Sequence, residues 1–180
     1  QVLATLHTND APGAGARLVD MGIEPYLLSP AIHGVVAQRL VRTVCPSCET
    51  KYHPSAETLA DAGLNVGEFV GRPFRKGAGC QQCHDSGFQG RLGVYEVMEV
   101  TPLMRRMVHE GAAAHELRDA MRKSGAKTLR EEGVLLALAG KTSLEEVLMV
   151  THSDGDEGAS AEVKAKVGPV AGPGMREAAA

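Results

Sequence analysis

The sequence predicts an α/β protein that carries a four-cysteine metal-binding subdomain and a small α-helical subdomain. Three observations support this prediction. A short apolar run typical of a buried strand occurs at residues 2–6, and a second predicted strand at 38–44, with helical patterns between them. Two Cys-x-x-Cys pairs stand in a glycine-rich middle region. From residue 101 onward, apolar side chains recur at the three- and four-residue spacing of amphipathic helices.

Composition limits the classes of protein that this chain can represent. Its 180 residues make room for one ordinary domain or two small ones. Hydrophobic residues make up 43% of the chain, but aromatic residues only 3%, so Leu, Val, Ala and Met must fill the core. The net charge of -3 argues against the basic surface of a nucleic-acid-binding domain, and we expect no nucleic-acid partner. No stretch approaches the ~20 apolar residues of a transmembrane helix.

The N-terminus shows no basic, apolar signal-peptide pattern and begins with Gln1 rather than Met. We therefore expect the chain to be an excised piece of a longer protein. The first predicted strand, residues 2–6, is followed by a helix at about 12–21 that Asn9 or Asp10 can cap. A second helix is predicted at about 26–37, and "QRLVRTV" then predicts a strand that leads directly into the first cysteine.

The rest of the chain divides into a glycine-rich region and a helical region. A weak helix is predicted near residues 55–62, and the alternation in "GRLGVYEVMEV" predicts a strand or hairpin at 90–100. "TPLMRRMVHEG", "AHELRDAMRKSG", "TLREEGVLLALAGK" and "TSLEEVLMVT" each predict a helix, and the last contains two overlapping capping boxes. Residues 153–180 consist mainly of Gly, Ala, Asp, Glu, Lys and Pro, which predicts a disordered tail.

The cysteines predict a structural Zn²⁺ site. Each Cys-x-x-Cys turn presents two thiolates from one tight loop, and two such turns complete a tetrahedral set of four soft ligands. Four thiolates leave no open position for water, so a catalytic zinc is not expected. The alternatives are two disulfides, which require an oxidising compartment, and four unrelated buried thiols. The candidate ligands are Cys45, Cys48, Cys80 and Cys83.

A polar cluster, "LHTND", follows the first predicted strand. In open α/β sheets, ligands bind beyond the carboxyl ends of the strands. There His7 could hydrogen-bond a phosphate or an attacking water. The residues alone leave a simpler alternative open, which is a strand end followed by a helix cap.

Two longer strings closely resemble the C-terminal part of the motor ATPases of type II secretion and type IV pilus assembly. They are "ATLHTNDAPGAGARLVDMGIEPYLLSPAIHGVVAQRLVRTVCPSC" and "GAGCQQCHDSGFQGRLGVYEVMEVTPLMRRMV". "TLHTNDA" is similar to the histidine box of that family, "QRLVR" to its last core strand, and the two cysteine pairs to its metal-binding subdomain. The resemblance covers residues 1 to about 151 and favours the secretion and assembly branch, because the pilus-retraction relatives typically lack the four cysteines. Ser86 and Phe88 stand where Thr and Tyr are common.

The resemblance implies a RecA-like P-loop NTPase core in a cytoplasmic hexamer of identical subunits. The hexamer would hydrolyse ATP between subunits and act at the inner membrane through platform proteins of a secretion or pilus system. Residues 1–44 would then be the C-terminal part of the core, 45–100 a Cys₄ zinc-binding subdomain with a returning strand or hairpin, and 101–152 the helical subdomain.

The resemblance also assigns roles to side chains of the core part. It places His7 near the γ-phosphate of ATP, where it would report or assist hydrolysis. Arg39 and Arg42 would contact nucleotide or a neighbouring subunit, or else would be solvated arginines at a strand edge.

The ATP-binding motifs themselves are absent from these 180 residues. No G-x-x-x-x-G-K-[ST] loop occurs, and no acidic strand residue for Mg²⁺ follows one. In the resembling family these elements lie upstream of the histidine box. We therefore expect ATP and Mg²⁺ to bind the full-length protein, and this chain alone to be inactive. The rival hypotheses are a non-enzymatic zinc-ribbon interaction module and a thiol redox protein.

Overall fold

The computed structural model describes residues 2–151, and the predicted disordered tail, 153–180, lies outside them. Pairs of helices and pairs of strands follow one another through the first hundred residues, and four helices come after them, which confirms a mixed α/β chain. The helices are α1 Gly13–Asp20, α2 Pro25–Ala31, α3 Ala56–Asp61, α4 Val66–Phe69, α5 Pro102–His109, α6 Ala114–Lys123, α7 Leu129–Leu138 and α8 Leu144–Val150, with a 3₁₀ turn at Gln81–Cys83. The strands are β1 Gly34–Val44, β2 Glu49–Tyr52, β3 Phe74–Gly77 and β4 Phe88–Glu99.

The strands form two antiparallel pairs. β1 runs against β4, with Gly34 opposite Glu99 and Arg42 opposite Arg91, and the register shifts just before Val44. β2 pairs with β3 close to the cysteines. Within residues 2–151 both sheets have two strands, so the larger RecA-like sheet that the resemblance implies is not directly visible.

Two of the predicted elements are wrong. Residues 2–8 form no strand, and Val2 and Leu3 are 90% and 93% exposed. A strand is stabilised by hydrogen bonds to a neighbouring strand, and this segment has none in the described part of the chain. The helix predicted at 26–37 ends at Ala31, because the valines that follow Gly34 pair with β4 instead. β-branched residues are favoured in strands over helices.

Side-chain caps begin three helices of the helical region. The hydroxyls of Thr101, Thr128 and Ser143 accept hydrogen bonds from backbone N–H groups in the first turns of α5, α7 and α8. Of the two overlapping capping boxes predicted at the start of α8, Ser143 forms the hydroxyl cap, but the Glu146 carboxylate binds Arg42 rather than closing the box. Thr142 instead donates its hydroxyl to the carbonyl of Arg42 at 2.8 Å. The start of α8 is thereby fixed to the end of β1.

Two hydrophobic clusters hold these elements together. The first packs the β1–β4 sheet against α5, α6 and the start of α7. The second lies between α3, α4 and β3 on one side and α7 and α8 on the other. The predicted use of methionine as core filler is confirmed by buried Met98, Met104 and Met121. α7 contributes to both clusters, so the helical region and the region around the cysteines share one supporting helix.

Within residues 2–151, no helix combines the length and the apolarity that crossing a bilayer requires.

Candidate functional site

The four cysteines are brought together by two tight turns. Cys45 ends the approach from β1, and the amide of Cys48 donates back to the carbonyl of Cys45 at 3.3 Å. In the second turn, the amide of Cys83 donates to the carbonyl of Cys80 at 3.2 Å. The amide of Cys45 also donates to the carbonyl of Gly87 at 3.0 Å, which joins the first turn to the chain after the second.

The sulfur geometry fits one tetrahedral metal ion. The Sγ atoms of Cys45 and Cys80 are 3.9 Å apart, those of Cys48 and Cys83 are 3.8 Å apart, and all four lie within 4.8 Å of one another. A tetrahedron with Zn–S bonds of about 2.3 Å has sulfur–sulfur edges of about 3.8 Å. All four cysteines are free, so the two-disulfide alternative is wrong for this structure. The cluster could hold a metal ion such as Zn²⁺.

Backbone donors prepare one thiol of the cluster for metal binding. Burial raises the pKa of Cys83, but the N–H groups of Cys80 and Gly87, 3.2 and 3.3 Å from its sulfur, outweigh burial and lower this pKa to about 6. Burial and the neighbouring sulfurs raise the pKa of Cys48 to about 12.

His7 lies at the second candidate site, a shallow, open depression at the start of α1. Its side chain is exposed, and the depression is lined by the histidine segment, which we define as residues 7–11, and by α1. The polar lining residues are His7, Thr8, Asn9, Asp10, Arg17 and Asp20. The depression offers hydrogen-bonding and charged groups but encloses little space.

The two candidate arginines are placed differently. The Arg39 guanidinium donates to the backbone carbonyl and to Oδ1 of Asn9, at 3.3 and 3.2 Å. Arg39 is therefore brought to the histidine segment. The Arg42 guanidinium instead contacts the carboxylate of Glu146 and lies 4.2 Å above the ring centroid of Phe88. Arg42 thus joins β1 to α8.

Sequence reasoning missed two buried carboxylates, Glu96 and Glu146, which are 2% and 3% exposed. A signal was present for Glu96, since it falls at an inward position of the alternating strand, between Val94 and Met98. Burial raises the pKa of Glu96, although its two backbone hydrogen bonds act in the opposite direction. For Glu146, the hydrogen bonds from Arg42 outweigh burial and hold the pKa below its ordinary value.

We expect Glu146→Gln to lower the free energy of unfolding by about 2 kcal/mol near neutral pH, because the buried Glu146 carboxylate loses its charge-assisted hydrogen bonds from the half-exposed Arg42. The folded-state pKa of Glu146 lies below the unfolded value. The stabilisation that ionised Glu146 gives to the folded state is therefore fully present above the ordinary glutamate pKa of about 4.3. It is lost as the pH falls through the folded-state pKa.

Urea unfolding of the unmodified chain and the variant over a pH series tests this expectation. The difference between the two free energies of unfolding should shrink as the solution becomes acidic. Glu132→Gln is the control, because the Lys127–Glu132 pair is largely solvent-exposed and should contribute at most about 0.5 kcal/mol. A pH-independent difference for Glu146→Gln would contradict the assignment.

Comparison with known proteins identifies the family. Residues 1–149 match the family described as "Type II/IV secretion system protein", and the chain belongs to that family. It is 45% identical over 150 residues to the type IV pilus assembly ATPase PilB of Thermus thermophilus, an alignment that covers 83% of this chain and 17% of the relative. It is 43% identical over 153 residues to the type II secretion system protein E of Pseudomonas aeruginosa, covering 85% of this chain and 30% of that relative.

A third relative gives the same result. Type II secretion system protein E of Dickeya dadantii is 45% identical over 155 residues, which cover 85% of this chain and 30% of the relative. The chain therefore spans less than a third of the length of these relatives.

Proposed function

We propose that this chain is the C-terminal portion of a hexameric ATPase that powers type II protein secretion or type IV pilus assembly. The observation that carries the proposal is the family match over residues 1–149, together with relatives whose names describe secretion and pilus assembly proteins. The four clustered cysteines agree with the secretion and assembly branch that the sequence resemblance favours. In this proposal ATP and Mg²⁺ bind the full-length hexamer, at the interfaces between identical subunits.

The proposed organisation assigns a task to each part of the chain. Residues 1–44 complete one side of the ATP site as the end of a RecA-like core, 45–100 form the zinc-binding subdomain, and 101–152 form the helical subdomain. The cytoplasmic hexamer would reach the inner membrane through platform proteins. The shared helix α7 supports this arrangement, since it packs on both hydrophobic clusters.

In this proposal, residues of the chain contribute to the ATP site and to the zinc site in different ways. His7 would present its imidazole to the γ-phosphate or to the attacking water, and Arg39 would orient the histidine segment through Asn9. Cys45, Cys48, Cys80 and Cys83 would hold Zn²⁺, which supplies cross-linking of the two turns and no open coordination position.

We expect His7→Ala in the full-length ATPase to lower kcat by about 10²-fold, the scale at which one positioned acid–base or hydrogen-bonding group contributes. Folding should be unaffected, because the His7 side chain is exposed. The measurement is steady-state ATP hydrolysis, paired with thermal unfolding of the same variant. His115→Ala, an exposed histidine on α6, is the matched control.

Two results would contradict parts of the proposal, the first for the role of His7 and the second for the ATP site completed by the full-length protein. One is an undiminished kcat in the His7→Ala enzyme. The other is ATP turnover by the purified 180-residue chain at the rate of the full-length motor, because the chain has no phosphate-binding loop of its own. In the second case a different nucleotide site would have to exist.

A further inference from the structure

One buried carboxylate belongs neither to the cysteine cluster nor to the depression beside His7. Glu96 lies on the inward face of β4 and is 2% exposed. A buried carboxylate is unfavourable unless hydrogen bonds replace its lost hydration. The role of Glu96 therefore depends on what its two oxygens bind.

Each oxygen of Glu96 accepts one backbone N–H, and the two donors come from distant parts of the chain. The amide of Ala11 donates to Oε1 at 2.7 Å, and the amide of Leu129 donates to Oε2 at 3.0 Å. Ala11 ends the histidine segment. Leu129 is the first residue of α7, where an N–H has no acceptor within the helix. One side chain thus connects the histidine segment, β4 and α7.

Asp10, the residue before Ala11 in the histidine segment, is bound to helix α6. Asp10 forms an ion pair with Arg118 of α6, and its other carboxylate oxygen accepts from the amide of Gly13 at 2.9 Å. His7, in contrast, is exposed and lies in the part of the chain without regular structure. The histidine segment is therefore held through Asn9, Asp10 and Ala11 by side chains of β1, α6 and β4. Helix α7 reaches the segment through Glu96.

The pattern of donors specifies a carboxylate. Two N–H groups that approach two different oxygens require an acceptor at both positions. An ionised carboxylate provides two acceptors, whereas a carboxamide provides one acceptor and one donor group. Glutamine at position 96 would therefore direct an NH₂ group at the amide of Ala11 or of Leu129, and one of the two connections would be lost.

We propose that Glu96 is a positioning residue that couples helix α7 to the histidine segment, so that displacement of α7 changes where His7 presents its imidazole. The inference rests on the proposed role of His7 beside the nucleotide. With that role, Glu96 would link helix α7 to the ATP site of the motor, beside the separate Asp10–Arg118 contact that links α6.

The test is a double-mutant cycle on the metal-loaded 180-residue chain, read by NMR. Thr128→Ala removes the cap of α7 and loosens its first turn. With Glu96 present, we expect the amides of both Leu129 and Ala11 to exchange about fivefold faster, the scale of a lost N-cap, and the His7 ring signals to shift. In the Glu96→Gln background, Thr128→Ala should still speed the exchange of the Leu129 amide. The exchange of the Ala11 amide and the His7 ring signals should stay unchanged.

Ser143→Ala provides a matched control, because it removes the cap of α8, a helix with no hydrogen bond to Glu96. It should leave the Ala11 amide unchanged. The proposal is overturned if Thr128→Ala leaves Ala11 and His7 unaffected, or if it affects them equally in the Glu96→Gln background. If Glu96→Gln does not fold, Glu96→Asp replaces it, since the shorter side chain cannot reach both amides.

If neither of these two variants folds, the comparison of Thr128→Ala with Ser143→Ala decides alone. The coupling is supported if Thr128→Ala, but not Ser143→Ala, changes the Ala11 exchange rate and the His7 ring signals. It is overturned if both variants change them equally or if neither does. These measurements need no nucleotide. A full-length His7→Ala enzyme with normal hydrolysis would therefore refute the proposed role of His7 while the measured coupling of α7 to the histidine segment still stood.

Discussion

Replacement of Cys83 by serine is expected to release the metal ion and to unfold residues 45–90. Cys83 is buried, and its sulfur accepts two backbone N–H groups within the cluster. Metal binding contributes on the order of 10 kcal/mol to the folding of small zinc modules. That amount is comparable with the total stability of a typical domain, about 5–15 kcal/mol. The second hydrophobic cluster, which includes Phe69 and Phe74, should therefore lose its order together with the cysteine turns.

Elemental analysis of bound zinc and NMR of the amides in residues 45–90 measure this effect. Ser47→Ala is the control, because Ser47 lies in the same turn, is exposed and bonds Gln82 rather than the cluster. A chelator applied to the unmodified chain should reproduce the Cys83→Ser result. If the variant retained one zinc ion per chain and its native thermal transition, the Cys₄ assignment would be wrong.

Gly77→Ala is expected to have the second-largest effect on stability, a loss of about 3 kcal/mol. A Cβ atom at Gly77 would lie 1.9 Å from the carbonyl oxygen of Gly87 and 2.5 Å from its carbonyl carbon. Both atoms are backbone, so no side chain can move aside. The same carbonyl of Gly87 accepts from the amide of Cys45, and separating the two glycines would displace one cysteine turn from the other.

For a chain of this size, such a loss corresponds to a Tm lower by about 6–12 °C. Zinc affinity should fall as well, because the four sulfurs would no longer meet at tetrahedral distances. Gly67→Ala in α4 is the control, since its added Cβ would meet nothing closer than Asn65 Oδ1 at 3.4 Å. If the two alanine variants melted at the same temperature, the proposed backbone contact between Gly77 and Gly87 would not exist in solution.

The cysteine cluster and the helical region were predictable because both depend on short-range patterns. Two residues between paired cysteines already dictate a tight turn, and the cysteines of such turns commonly converge on one metal ion. The caps at Thr101 and Ser143 act within a single turn of helix, so their effect can be assessed from adjacent residues. The roles of His7, Arg39 and Arg42, by contrast, stay predictions, although the structure brings Arg39 to the histidine segment.

What the sequence by itself determined is therefore local: the four cysteine positions, the late helices and the strand that became β4. The tertiary structure decided which segments found partners distant in the chain. Residues 2–6 have strand-like composition but no neighbouring strand among the described residues, whereas β1 extends back to Gly34 because β4 lies beside it. Only the fold could make Glu96 and Glu146 anchors, because a carboxylate is stable in the interior only where donors from remote elements converge on it.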